Sequence, residues 1–256
     1  MSTMLAAQMY TLREYTKTPA DIDKTLARVK EIGYDAVQMS AWGPIDPKEL
    51  RAIADKHGLE ICATHVSFDA IVNHTQETIE NHKIWGTQYV GLGSMPDEYR
   101  GSEEKFREFA RVIRPAGEAI AKAGQHLIYH NHNFELARFG DKTGLDILME
   151  ETDPSWFQFE IDTHWITAGG GDPAAWIRKV AGRMDVVHFK DMVYVPEEGR
   201  STFAEIGEGN LNWPAIIGAC AETGIRMHIV EQDVCRRCPF ESLKISLQYL
   251  QRMGLK

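Results

Sequence analysis

An eightfold alternation of short apolar runs with segments of helical period constrains this chain more than any other feature. β-prone runs fall at residues 5–11, 34–39, 59–64, 88–92, from 126 onward, 157–162, 185–189 and 227–230. Between them apolar residues recur every three or four positions, as in Ile22, Leu26, Val29 and Ile32, the stripe of a helix that buries one side. Strands joined through helices run parallel, because each crossover returns the chain to the end where the previous strand began. Eight such units in about 250 residues match a closed barrel. An open doubly wound sheet is the competing arrangement, but no Gly-x-Gly-x-x-Gly follows the first run. The expected fold class is α/β, a single (β/α)8 TIM barrel over residues 1–256.

Punctuation residues set the expected boundaries. Pro19 opens the first helix and Gly33 closes it, and Pro47 starts the second. A third helix is expected over 73–85. Ser102 followed by Glu103 and Glu104 suits a long helix's start, and Pro115 is expected to kink it. Further helices are expected over 143–151, after Asp172-Pro173, after Trp213-Pro214 and over 239–253. From Asp191 to about Asn210 the chain is rich in Gly, Pro and Glu and reads as a long irregular loop, a lid candidate.

Composition narrows the function classes. A net charge of −9, from 28 basic and 37 acidic residues, disfavours nucleic acid as a partner. No apolar run reaches the roughly 18 residues needed to span a bilayer, and the first residues lack a basic segment with an apolar signal core. A cytoplasmic protein with no membrane partner is expected. Four cysteines do not make a disulfide scaffold in a chain this long. Cys235 and Cys238 have the spacing of half a zinc site without a second pair, and are read as non-ligating.

The chemistry-bearing residues sit where apolar runs stop. In a parallel barrel all eight C-terminal tips converge on one rim, so residues distant in sequence meet there. Glu135, Asp162, His188 and Glu231 follow four such runs and are expected to bind one divalent cation. Three carboxylates and an imidazole suit Mn2+ or Mg2+ first, with Co2+ and Zn2+ accepting the same donors. Side-chain alternation does not settle the faces: Glu160 shares parity with Asp162, and His130 and His132 are both alternatives to Glu135.

The runs Tyr129-His-Asn-His-Asn-Phe-Glu135, Glu160-Ile-Asp-Thr-His-Trp165, Val187-His-Phe-Lys-Asp191, Ile206-Gly-Glu-Gly209 with Trp213, and Val230-Glu-Gln-Asp233 resemble the sugar phosphate isomerase/epimerase family of xylose isomerase-like barrels. The resemblance covers essentially the whole chain. It implies a Glu/Asp/His/Glu metal site, onto which Asp162, His188 and Glu231 map directly. Ketohexose 3-epimerase relatives place the first glutamate at the strand tip, where this chain has Tyr129 and His130. They also carry a histidine three residues after the aspartate, where this chain has Trp165, with His164 one residue earlier.

The expected reaction is isomerisation or epimerisation of a keto-sugar or related polyol. A proton leaves carbon beside a carbonyl and returns at another place or face, with Glu231 and Glu135 as the catalytic carboxylates. His65, His132, His164 and Lys190 are candidates for holding sugar hydroxyls. Trp42, Phe68 and Trp165 are candidate apolar walls, and Glu208 is a loop residue in a turn. A metal-dependent lyase or dehydratase on a keto-sugar, 3-keto-glycoside or inosose is the second reading. A DNA-repair nuclease and a non-catalytic sugar-binding protein are weaker ones. With no Arg/Lys cluster or phosphate-cradling Gly loop, a non-phosphorylated sugar is expected, and a homo-oligomer is the expected assembly.

Overall fold

A computed structural model describes residues 3–256. Eight parallel strands form the barrel: β1 Met4–Gln8, β2 Ala36–Ser40, β3 Glu60–Val66, β4 Tyr89–Leu92, β5 His126–His130, β6 Gln158–Glu160, β7 Val186–Phe189 and β8 Met227–Val230. Seven neighbouring pairs run continuously from β6 through β5 to β1 and on to β8 and β7. The last seam, β6 against β7, is carried by a single bridge between Asp162 and His188, with the His188 N–H donating to Ile161 O at 2.9 Å. Two of the expected cation ligands therefore also close the barrel.

Alternation along the strands sorts the barrel interior into layers. Its lower layer is small and apolar, including Ala6, Ala36, Ala63, Ile128, Val186 and Ile229. Two residues further along each strand the same face becomes polar: Gln8 and Gln38 on β1 and β2, His130 after Ile128, His188 after Val186, Glu231 after Ile229. The larger apolar core lies between the barrel and its helices, where Phe106, Phe109, Phe157 and Phe159 are fully buried.

The helices are α1 Pro19–Ile32, α2 Pro47–Lys56, α3 Phe68–Asn73, α4 Thr75–Trp85, α5 Glu103–Lys122, α6 Gly144–Glu151, α7 Thr163–Ala168, α8 Pro173–Lys179, α9 Trp213–Thr223 and α10 Pro239–Arg252. Gly33 ends α1 at φ 116°, as its position suggested. The helix expected over 73–85 is present as α4, and a further short helix, α3, precedes it, capped by Ser67 accepting the Ala70 N–H and separated from α4 at His74. Helix α5 continues through Pro115. The irregular loop expected after Asp191 is instead an antiparallel hairpin of Asp191–Val195 and Arg200–Ala204. Among the described residues no helix is long and apolar enough to cross a membrane.

Two histidines packed among these elements set an acid limit on stability. Burial lowers His82 and His228 from 6.5 to about 4. A lowered imidazole is neutral when folded and takes its proton more readily when unfolded. Its stabilising contribution is therefore complete above pH 6.5 and is lost as pH falls toward 4, by about 3 kcal/mol per residue. Urea unfolding from pH 7 to 4.5 should show this loss, and His82→Gln should reduce the slope.

Candidate metal and active site

His130, Asp162, His188 and Glu231 are buried on the rim, and one donor atom from each lies within 4.8 Å of all the others. His188 Nδ1 is 3.0 Å from Glu231 Oε2 and 3.8 Å from Asp162 Oδ2. His130 Nε2 is 3.1 Å from Asp162 Oδ2 and 4.0 Å from Glu231 Oε2. The other carboxylate oxygen of Asp162 caps α7 by accepting the Trp165 N–H at 2.8 Å, which fixes the group's orientation.

The hydrogen bonds behind the imidazoles test whether a cation fits. His130 Nδ1 lies 3.0 Å from Gly93 O, so this ring has an oxygen acceptor at both nitrogens. Burial, with His188 and Lys190 nearby, lowers its pKa, and a neutral imidazole has only one N–H. If Nδ1 donates to Gly93, the Nε2 lone pair faces carboxylate oxygens, an arrangement that a cation satisfies. His188 Nε2 donates to Gln38 Oε1 at 2.6 Å, and Gln38 Nε2 donates to Glu160 Oε1 at 2.7 Å. Although burial opposes it, Glu160 and Glu231 push His188 up to about 10. The negative field that favours a proton at Nδ1 favours a metal cation there too.

Lys190 supplies a fixed positive charge beside this set. It is 1% exposed, and its Nζ lies 2.6 Å from Glu231, 3.0 Å from Asp162 and 3.1 Å from Asp233. Burial raises both carboxyls' affinity for a proton, yet Lys190 and the histidines hold Asp162 and Glu231 well below the usual range. Asp233 goes the other way: burial and the charge on Glu231 push it up to about 6. The adjoining cavity, about 240 Å³, is lined by Tyr10, Ser40, Gly93, His132, Lys190 and Asp233, together with His130 and Glu231.

Glu135 sits apart from the donor cluster that the sequence reading expected it to join. It lies on the turn Phe134–Leu136, fully buried, and His130 takes its place in the donor set. Its two oxygens accept from Tyr129 OH at 2.6 Å and the His132 N–H at 2.9 Å. Burial pushes it up to about 7, and its work is to hold the loop that carries His132. Glu135→Gln should leave metal affinity within about threefold, because it touches no donor directly, whereas His130→Ala should weaken it by roughly 100-fold or more. Isothermal titration with Mn2+ reads both.

Comparison with known proteins agrees with this architecture. Residues 26–253 match the family model for the xylose isomerase-like TIM barrel. The chain belongs to that family. An inosose dehydratase of Geobacillus kaustophilus is 25% identical over 90% of this chain and 87% of its own length. A sugar phosphate isomerase/epimerase structure from Parabacteroides distasonis superposes with a TM-score of 0.81 at 23% identity, covering 98% of both chains. An IOLI protein structure with a bound zinc atom superposes at 0.75, with 14% identity and 97% coverage of each chain. The proteins this chain resembles thus carry both isomerase/epimerase and dehydratase names.

Within this family fold, the other expected residues separate into two groups. His65 borders the site, with Nε2 2.5 Å from Glu160 Oε2 and its ring stacked 5.2 Å from His188. His132 lines the cavity and is lowered to about 3 by burial, with Nδ1 unpartnered. His164 instead stacks on Phe203 of the hairpin at 4.3 Å and borders a different cavity. Glu208 pairs with Arg237 at 2.7 Å on the surface. Its flanking glycines bind Asp191, whose Oδ2 accepts the N–H groups of Gly207 and Gly209 and the Trp213 indole N–H. A Cβ on Gly209 would lie 2.2 Å from Asp191 Oδ1, so the Gly-Glu-Gly run is a structural clasp. Gln38 and Asp233 are site residues not singled out from sequence, and Glu160 enters there only as sharing parity with Asp162. The only signal was a polar residue at inward parity within or just beyond an apolar run.

Proposed function

We propose that this chain is a metal-dependent hydro-lyase that removes water from a small cyclic keto-polyol of the inosose kind. The observation that carries this reading is the asymmetry of the site. The end of β8 supplies Glu231 and Asp233, both held by Lys190, while the matching position on β5 is His130, with no carboxylate. Epimerisation through paired carboxylates needs one on each side of the substrate, and Glu135 is engaged elsewhere.

His130, Asp162, His188 and Glu231 would hold the cation. When bound, it supplies Lewis-acid stabilisation of negative charge growing on the substrate's carbonyl oxygen. Asp233, tuned to about 6, takes the proton from carbon beside the carbonyl and delivers it to the hydroxyl leaving the next carbon. The C–H and C–O bonds break, a C=C bond forms, and water departs with that proton. Lys190 keeps Asp233 oriented at 3.1 Å, and His132 offers its ring to a substrate hydroxyl.

Isomerisation is the second reading, favoured by one observation: His132 also lines the cavity, an imidazole that could serve as a further proton carrier. Incubation with keto-polyols in deuterated water distinguishes them. Loss of one water with a new enone absorbance supports the lyase, and a product of unchanged composition carrying deuterium on carbon supports the isomerase. Asp233→Asn should lower kcat by about 10³-fold if Asp233 moves the proton.

A further inference from the structure

We propose that a second cavity beside His65 is a subsite for an uncharged ring joined to the keto-polyol through a glycosidic bond. This rests on the reading of the rim as a keto-polyol site and names the larger substrate class. The cavity, about 460 Å³, lies between the tip of β2 and helices α3 and α4. His65 separates it from the rim cavity: the His65 ring lines this cavity and touches Gly93, which lines the other. Ser40 lines the rim cavity and the next two residues, Ala41 and Trp42, line this one. The two cavities therefore adjoin along one stretch of the rim.

The walls specify the occupant's chemistry. Trp42 and Trp85 meet edge to face, ring centroids 5.8 Å apart, with Val66 and Ala70 completing an apolar side. Asp69, Glu77 and Asn81 form a polar side suited to hydroxyls, and among the described residues no lysine or arginine lines the cavity. That combination accepts the C–H face of a sugar or an aromatic ring and repels a phosphate.

The backbone presenting Trp42 is also held in a costly shape. Ala41 is the one non-glycine residue at positive φ, 54°, among the described residues, a conformation that costs about 1 kcal/mol or more. Gly43 donates its N–H to Thr16 O at 2.7 Å and sits so close that a Cβ there would lie 1.9 Å from Lys17 O. The loop is pinned on both sides of the tryptophan, which holds it in place at the cavity wall.

The test measures binding in the intact chain, so it reads the subsite whichever reaction the rim performs. Titration calorimetry with phenyl β-glucoside, cellobiose and glucose compares an aryl ring, a second sugar and no second ring. At least one of the two glycosides should bind about 10-fold or more tightly than glucose. Trp42→Ala should abolish that preference, and so should Ala70→Trp, which fills the cavity from an accessible helix position. Thermal melts confirm that each variant is folded. Equal binding of all three ligands, or a preference that survives in a folded variant, overturns the proposal.

Discussion

Asparagine in place of Asp162 should remove the bound divalent ion and lower kcat/KM by on the order of 10³-fold or more, with the fold retained. Asparagine caps a helix as well as aspartate does, so the contact to the Trp165 N–H and the start of α7 persist. The backbone bridge to His188 at the barrel seam is also independent of the side-chain charge. What disappears is the negative oxygen that faces His130, His188 and Lys190. Metal analysis after gel filtration, beside a circular dichroism melt, separates loss of the ion from loss of the fold. A D162N protein that keeps one ion per chain would remove Asp162 from the ligand set.

Lys190→Met should damage stability as well as turnover. The substitution keeps a long side chain but removes the cation from among Asp162, Glu231 and Asp233, all within 3.1 Å of it. Breaking a buried pair by deleting one partner costs about 3–5 kcal/mol, because the remaining charges lose compensation inside a low-dielectric site. In chelator the variant should therefore melt well below the parent. Added Mn2+ should restore much of the difference, since an ion held by two of the same carboxylates replaces the lost positive charge. A variant that melts with the parent in chelator would show that Lys190 does not balance this cluster.

The barrel was legible because its signals are local and repeated: each apolar run is bounded by a helix start or a glycine stop, and eight repeats leave little choice of closure. Asp162, His188 and Glu231 were legible for the same reason, as polar residues at the ends of apolar runs. The first member was not, because the segment after β5 offers three imidazole or carboxylate candidates in six residues. Parity from Ile128 favours His130, but an irregular turn beyond the strand leaves Glu135 free in sequence terms and committed to Tyr129 only in three dimensions. The hairpin after Asp191 was missed because turn-forming residues around Glu197–Gly199 masked the alternation in the strands they join. The chain of contacts from Gln8 to Gln38 to Glu160 bonds residues 30 and 122 positions apart and has no local signature.

The most direct test of the site is X-ray absorption on the cobalt- or zinc-loaded protein, which counts imidazole ligands by their multiple scattering. Two imidazoles, falling to one in His130→Ala and unchanged in Glu135→Gln, is the result expected for an ion held by His130, Asp162, His188 and Glu231. A single imidazole in the unaltered protein, with a ligand lost in Glu135→Gln, would return the first position to the glutamate and contradict the account.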